Sequence, residues 1–175
     1  MRPIYWQPPI ELSATEQTII KRIRRAKLFV FLRQHRHEVF DEAFQQELAN
    51  LYQESRRGQP PVPPALLAIA TILQAYTGVS DDEVIEASTM DRRWQLVLDC
   101  VDTEEPPFSK GTLIAFRKRL REANMDQCLI ERTIDVAKEI GAFGSGSLRA
   151  ALDSSPLWVE DTYDLLGHAL RRLEV

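Results

Sequence analysis

Residues 60–78 read PPVPPALLAIATILQAYTG, and this stretch decides the architecture. Its first five positions hold four prolines, which make a stiff connector and break whatever precedes them. The run that follows is apolar at nearly every position and stops at Gly78, the residue that most easily ends a helix in the left-handed conformation. A helix with no polar face is buried on all sides, so this is the core helix of the molecule. Ser80-Asp-Asp-Glu83 comes next, a serine followed three residues later by a glutamate. That capping box opens another helix through SDDEVIEAS.

Working outward, the same signals repeat. Residues 1–12 are rich in proline and aromatic residues and read as extended chain. Ser13-Ala-Thr-Glu16 is a second capping box, opening one helix through TEQTIIKRIRRAKLFVFLRQHR, with Ile19, Ile20, Ile23, Leu28, Phe31 and Leu32 as its apolar positions. DEAFQQELANLYQ predicts a further helix burying Phe44, Leu48 and Leu51. Asp91 to Leu98 predicts a short helix carrying Trp94, and VDTEEPPF an acidic loop. TLIAFRKRLREA, capped by Ser109 or Thr112, and Asp126 to Ile140 predict two more helices. GAFGSGS is a hinge by composition; LRAALDSS is the one strand-like segment, and Glu160 to Glu174 reads as a last amphipathic helix. The expected fold is mainly α: a helical bundle with a helix-turn-helix-like part, plus one short strand and one helix.

The chain has 175 residues, enough for one domain or a little more, with 44% hydrophobic and 27% charged residues. No apolar run approaches the ~20 residues of a bilayer span, and the start lacks the pattern of a secretory signal. Cys100 and Cys128 have no metal or CxxC spacing and read as buried reduced thiols, so a cytoplasmic protein is expected.

A net charge of −4 excludes a protein that simply coats nucleic acid. Its distribution matters more. Residues 1–60 hold ten Lys/Arg against seven Asp/Glu, residues 61–107 two against nine, and residues 108–175 ten against ten. Within the last part Lys110, Arg117, Lys118, Arg119 and Arg121 are locally opposed only by Glu122. Leu113, Phe116 and Leu120 turn that helix toward the core, which directs Lys110, Arg117, Lys118 and Arg121 to solvent. A basic helix on a core helix is what a duplex reader needs, since its cations neutralise phosphates and its exposed side chains reach base edges. The plain alternative is a solvated face, and the acidic segment 81–105 could pair with the helix and mask it. Arg22, Arg24 and Arg25 form a possible second patch.

Two other features invite chemistry. His35 and His37 in HRH stand at i, i+2, which does not share a helix face, and read as a surface pair rather than metal ligands. Asp153 ends the strand-like segment, a good place for a hard-cation ligand, although Ser154, Ser155 and Pro156 also make it a plausible turn residue.

The ordered set VPPALL, LQAYTGVSDD, a tryptophan about a dozen residues later, SKGTLIAFRKRL, LRAALDSSPL and VEDTYDLLGHAL resembles bacterial insertion-sequence transposases with an InsH-type N-terminal domain. The resemblance runs from about Leu12 onward. It implies three parts: N-terminal helices and the proline-rich connector over 1–60, a helical DNA-binding domain over 61–140, and the start of an RNase H-like catalytic domain over 147–175. In this family the helical domain binds the element ends. The catalytic domain carries three dispersed carboxylates, the DDE set, which hold two metal ions, magnesium being the one implied. Asp153 maps to the first of these as catalytic residue and metal ligand.

The chain ends at Val175, and no residue matches the other two carboxylates. A short insert usual between SSPLW and VEDTYDLL is also missing, and Trp158 runs straight into Val159. The expectation is therefore a truncated transposase that binds double-stranded DNA at element ends, needs no cofactor by itself and is inactive alone. An expectation of another class is a helical interaction module. In it Leu148, Leu152, Leu165, Leu166 and Leu170 form an apolar patch for a second copy or a full-length transposase. A third, a free-standing metal-dependent nuclease, would rest on Asp153.

Overall fold

The computed structural model describes residues 2–53 and 60–141. The strand-like segment before Asp153, Asp153 itself, the last helix and the leucine patch at 148–170 all lie outside the described residues. The described residues form eight helices and no strand: α1 (Ala14–Arg22), α2 (Lys27–Val39), α3 (Glu42–Ala49), α4 (Pro64–Thr77), α5 (Asp81–Met90), α6 (Arg92–Leu98), α7 (Lys110–Glu122) and α8 (Asp126–Glu139).

α4 is the axis of the bundle. Every residue from Pro64 to Tyr76 is buried, and α3, α5, α6 and α7 all pack against it. Pro64 stands in the first turn, where its missing N–H costs nothing. Gly78 closes the helix at φ 71°, a conformation that penalises any side chain with a Cβ. Four residues after Thr77, α5 begins at Asp81. Ser80 Oγ accepts from Glu83 N, and Glu83 Oε2 accepts from Ser80 N at 2.7 Å, completing the capping box. Phe29 of α2 meets Tyr76 of α4 and Trp94 of α6 edge-on, with ring centroids 6.0 and 6.3 Å apart, which ties three helices together.

The long helix predicted from Ser13 is two helices. The capping box forms as expected, with Ser13 N donating to Glu16 Oε2 at 2.8 Å, but α1 ends at Ile23, whose backbone is extended. The apolar pattern gives the reason. At one turn per 3.6 residues, Ile19, Ile20 and Ile23 centre roughly 120° away from Leu28, Phe31 and Leu32. One straight helix cannot turn both sets inward, and the break at 23–26 lets Leu28, Phe31 and Leu32 enter the core while Ile19, Ile20 and Ile23 stay half-buried.

Two arginines of α2 are buried with the apolar side chains. Arg33 bonds Glu16 of α1 at 2.5 Å and the carbonyls of Ile10 and Glu11. Arg36 donates to Val97 O at 2.9 Å, Pro9 O at 3.2 Å and Asp99 Oδ1 at 3.0 Å, and lies 5.2 Å from the Trp6 ring centroid. These bonds hold the extended N-terminal segment across the bundle. Gln45 adds to them by accepting from Trp6 N and donating to Trp6 O. Burial lowers the Arg36 guanidinium to about 10, and Arg33 beside it acts in the same direction.

Candidate nucleic-acid interface

α7 is built as the sequence pattern predicts on its inner side. Ser109, rather than Thr112, caps it: its Oγ accepts from Thr112 N at 3.2 Å. Leu113, Phe116 and Leu120 are fully buried. α4, α5 and α7 pack against one another, and α4 and α5 are joined by the tight turn at Gly78. The outer side of α7 carries Lys110, Ile114, Lys118 and Arg121, all exposed and spaced at i, i+4, i+8 and i+11, so they form one stripe. Ile114 is 42% exposed between the cations.

The four cations named from the sequence do not share one environment. Arg117 does not face solvent. It donates from Nη1 to Gln74 Oε1 at 2.6 Å and from Nη2 to Asp81 at 2.7 Å, joining α7 to both α4 and the start of α5. Burial raises the Asp81 carboxyl, but the bonds from Arg117 and Gln74 outweigh that and hold it below its ordinary value. Lys110 reaches both carboxylate oxygens of Asp82 at 2.7 and 2.8 Å, an exposed pair. Lys118 lies 3.7 Å from Glu122, also exposed. Arg121 is exposed and has no ion pair among the described residues. Arg119 packs on the Tyr52 ring, 4.7 Å from its centroid. The acidic helix α5 thus takes up part of the charge of α7, most firmly at Arg117. Exposed pairs such as Lys110–Asp82 are worth ~0–1 kcal/mol.

Arg22, Arg24 and Arg25 lie at the end of α1 and in the turn to α2. All three are exposed, and none is ion-paired among the described residues. They line a cleft of about 680 Å³ together with Arg92 and Arg93 at the start of α6. The sequence reading missed these last two, since they sit in the acidic segment and belong to another helix. Only the packing of α1 on α6 brings the two sets together. Arg92 bonds Asp102 at 2.5 Å, and Arg93 bonds Asp91 at 2.5 Å and lies 5.3 Å from the Phe29 ring centroid. Burial raises the Asp91 carboxyl, but bonds from Arg93 and the helix backbone bring it below its usual value.

His35 bonds Glu38 at 2.8 Å and stacks near Phe31, and His37 lies 3.5 Å from the same carboxylate. Among the described residues no group of three or more His, Cys, Asp and Glu side chains could hold a metal. Asp153 lies outside them. Cys100 is buried and Cys128 half-buried, both free thiols. No described helix is long and apolar enough to cross a membrane.

A family model described as Transposase domain (DUF772) matches residues 18–119, more than half of the chain and the span from α1 into α7. No curated protein and no solved structure matches the chain.

Proposed function

The chain belongs to the transposase-domain family (DUF772), and from that premise we propose that it is the DNA-binding portion of a DDE-type insertion-sequence transposase that recognises the ends of its element. The observation that supports this most is the exposed stripe Lys110–Ile114–Lys118–Arg121 on a helix seated against the buried axis α4. Cations at this spacing follow a phosphate backbone, and an exposed isoleucine between them offers an apolar contact for a thymine methyl group.

α4, α5 and α7 act in this reading as a helix-turn-helix-like unit, with α7 as the helix that meets DNA. α5 follows the tight turn but begins with Asp81, Asp82 and Glu83, which phosphates would repel. Lys118 and Arg121 make the primary phosphate contacts. Lys110 joins them by leaving Asp82. Arg117 is a positioning residue that sets α7 on α4 and α5. Arg22, Arg24 and Arg25 offer a second cationic surface for DNA. Asp153 keeps the role of first catalytic carboxylate by resemblance, in a centre that needs further ligands. The described residues do not fit a two-metal site, and magnesium takes no part in the recognition proposed.

With Lys110, Lys118 and Arg121 neutralising phosphates, affinity for duplex should fall roughly 40-fold between 50 and 200 mM salt. Reversal at Lys118→Glu and Arg121→Glu together is expected to weaken duplex binding more than ~10-fold while the helical signal and melting temperature stay unchanged. Retained affinity in that variant would remove α7 as the contact surface.

A further inference from the structure

The cleft between α1 and α6 differs chemically from the α7 stripe. Its rim is five arginines: Arg22, Arg24 and Arg25 on one side, Arg92 and Arg93 on the other. Between the arginines its lining is mostly apolar, from Ile19, Ile23 and Ala26, each half-buried, with Thr15 and Thr18 beside them. Its volume of about 680 Å³ falls within the range of sites that enclose a ligand.

A phosphate alone would leave the apolar wall in water. A paired duplex shows its bases only as edges within the grooves, so it too would leave that wall uncovered. An unpaired strand presents phosphates and flat apolar base faces together. Guanidinium planes suit both, by pairing with phosphate and by stacking on the base. The two rims are also prepared differently. Arg92 and Arg93 are held in place by Asp102 and Asp91, and Arg93 also rests on Phe29. Arg22, Arg24 and Arg25 have no carboxylate partner among the described residues, so their charge is available to a ligand.

We infer that this cleft is a binding site for an unpaired DNA strand, with the base against Ile19, Ile23 and Ala26 and the phosphates on the five arginines. The inference rests on the DNA-binding reading but assigns a separate surface and a different form of DNA.

The test is fluorescence anisotropy with three probes: a blunt duplex, the same duplex with a short single-stranded tail, and the tail alone. Wild type should bind the tailed duplex about tenfold more tightly than the blunt one. In Arg25→Ala and in Arg92→Ala, one from each rim, the tailed-to-blunt ratio should fall toward one. In Lys118→Glu with Arg121→Glu both duplexes should weaken while the ratio persists. Both rim residues are exposed, so circular dichroism should show unchanged helix content.

Equal binding of tailed and blunt duplex by wild type would overturn the inference, as would a ratio that survives both rim variants. If the blunt duplex binds through Lys118 and Arg121 but the tail adds nothing, the cleft assignment falls and the α7 reading stands. If neither duplex binds but the single strand does and needs Arg25 and Arg92, the α7 reading falls and the cleft stands. Displacement of the tail by micromolar AMP would make the cleft a free-nucleotide site and overturn the strand assignment.

Discussion

Arg117 connects three helices through one guanidinium: its own α7, Gln74 of α4 and Asp81 of α5. Arg117→Glu would set a carboxylate against Asp81 and leave Gln74 without its donor. The expected cost is about 1–3 kcal/mol, seen as a lower melting temperature, with lost DNA binding as a consequence. Arg121→Glu should leave the melting temperature unchanged, and comparing the two variants separates a positioning arginine from a contacting one. From the sequence both residues read as solvent-facing cations. Their difference depends on which carboxylates α5 brings within reach, which helical periodicity does not encode. Arg33 and Arg36 went unread for a similar reason. They share the buried side of α2 with Phe29 and Leu32, and their partners there, the carbonyls of Pro9, Ile10, Glu11 and Val97 and the carboxylates of Glu16 and Asp99, all lie far away in sequence. Glu16 completes that anchor. Burial raises its carboxyl, but Arg33 and Ser13 hold it below its ordinary 4.5. An acid whose folded value is depressed contributes stability above its unfolded value and loses it as pH falls through the folded one. The melting temperature is therefore expected to drop as pH falls below about 4.5, and Glu16→Gln should flatten that drop. Glu16→Ala, which strands a buried guanidinium, should cost about 3–5 kcal/mol. Burial likewise raises the Cys100 thiol to about 11, so it should resist thiol reagents at pH 8 until the protein is unfolded.

Helix by helix, the local chemistry was legible. Both capping boxes form, Gly78 terminates α4, and Leu113, Phe116 and Leu120 face inward, because each signal acts within one turn of backbone. Gly78→Ala tests the turn on which α5 is set. At φ 71° the added Cβ should cost roughly 1–2 kcal/mol in denaturant unfolding without altering the α7 stripe. What the sequence did not show was the break between α1 and α2. The local signal there favours helix, but the apolar sets on either side are out of phase, and one straight helix cannot turn both inward. That break also places Arg24 and Arg25 in a turn beside Arg92 and Arg93. A continuous helix through residues 14–39 would have had no such cleft.

Across the whole molecule, charge is divided rather than uniform. The acidic middle of the chain, residues 61–107, meets the basic α7 at Asp81 and Asp82 and leaves Lys118 and Arg121 outward. The result is an acidic protein with local cationic surfaces, which suits a protein that contacts DNA locally without coating it. The family match spans α1 into α7, so it includes Lys110, Ile114 and Lys118 of the α7 stripe, stops short of Arg121, and includes the five arginines of the cleft. The most direct measurement is an anisotropy titration of the whole chain with a duplex carrying the ends of its element and with a scrambled duplex, each at several salt concentrations. The expected result is tighter binding to the element ends, falling steeply with salt and lost in Lys118→Glu with Arg121→Glu at an unchanged melting temperature. Salt-insensitive binding, equal affinity for both duplexes, or full affinity in that variant would contradict α7 as the reader of element ends.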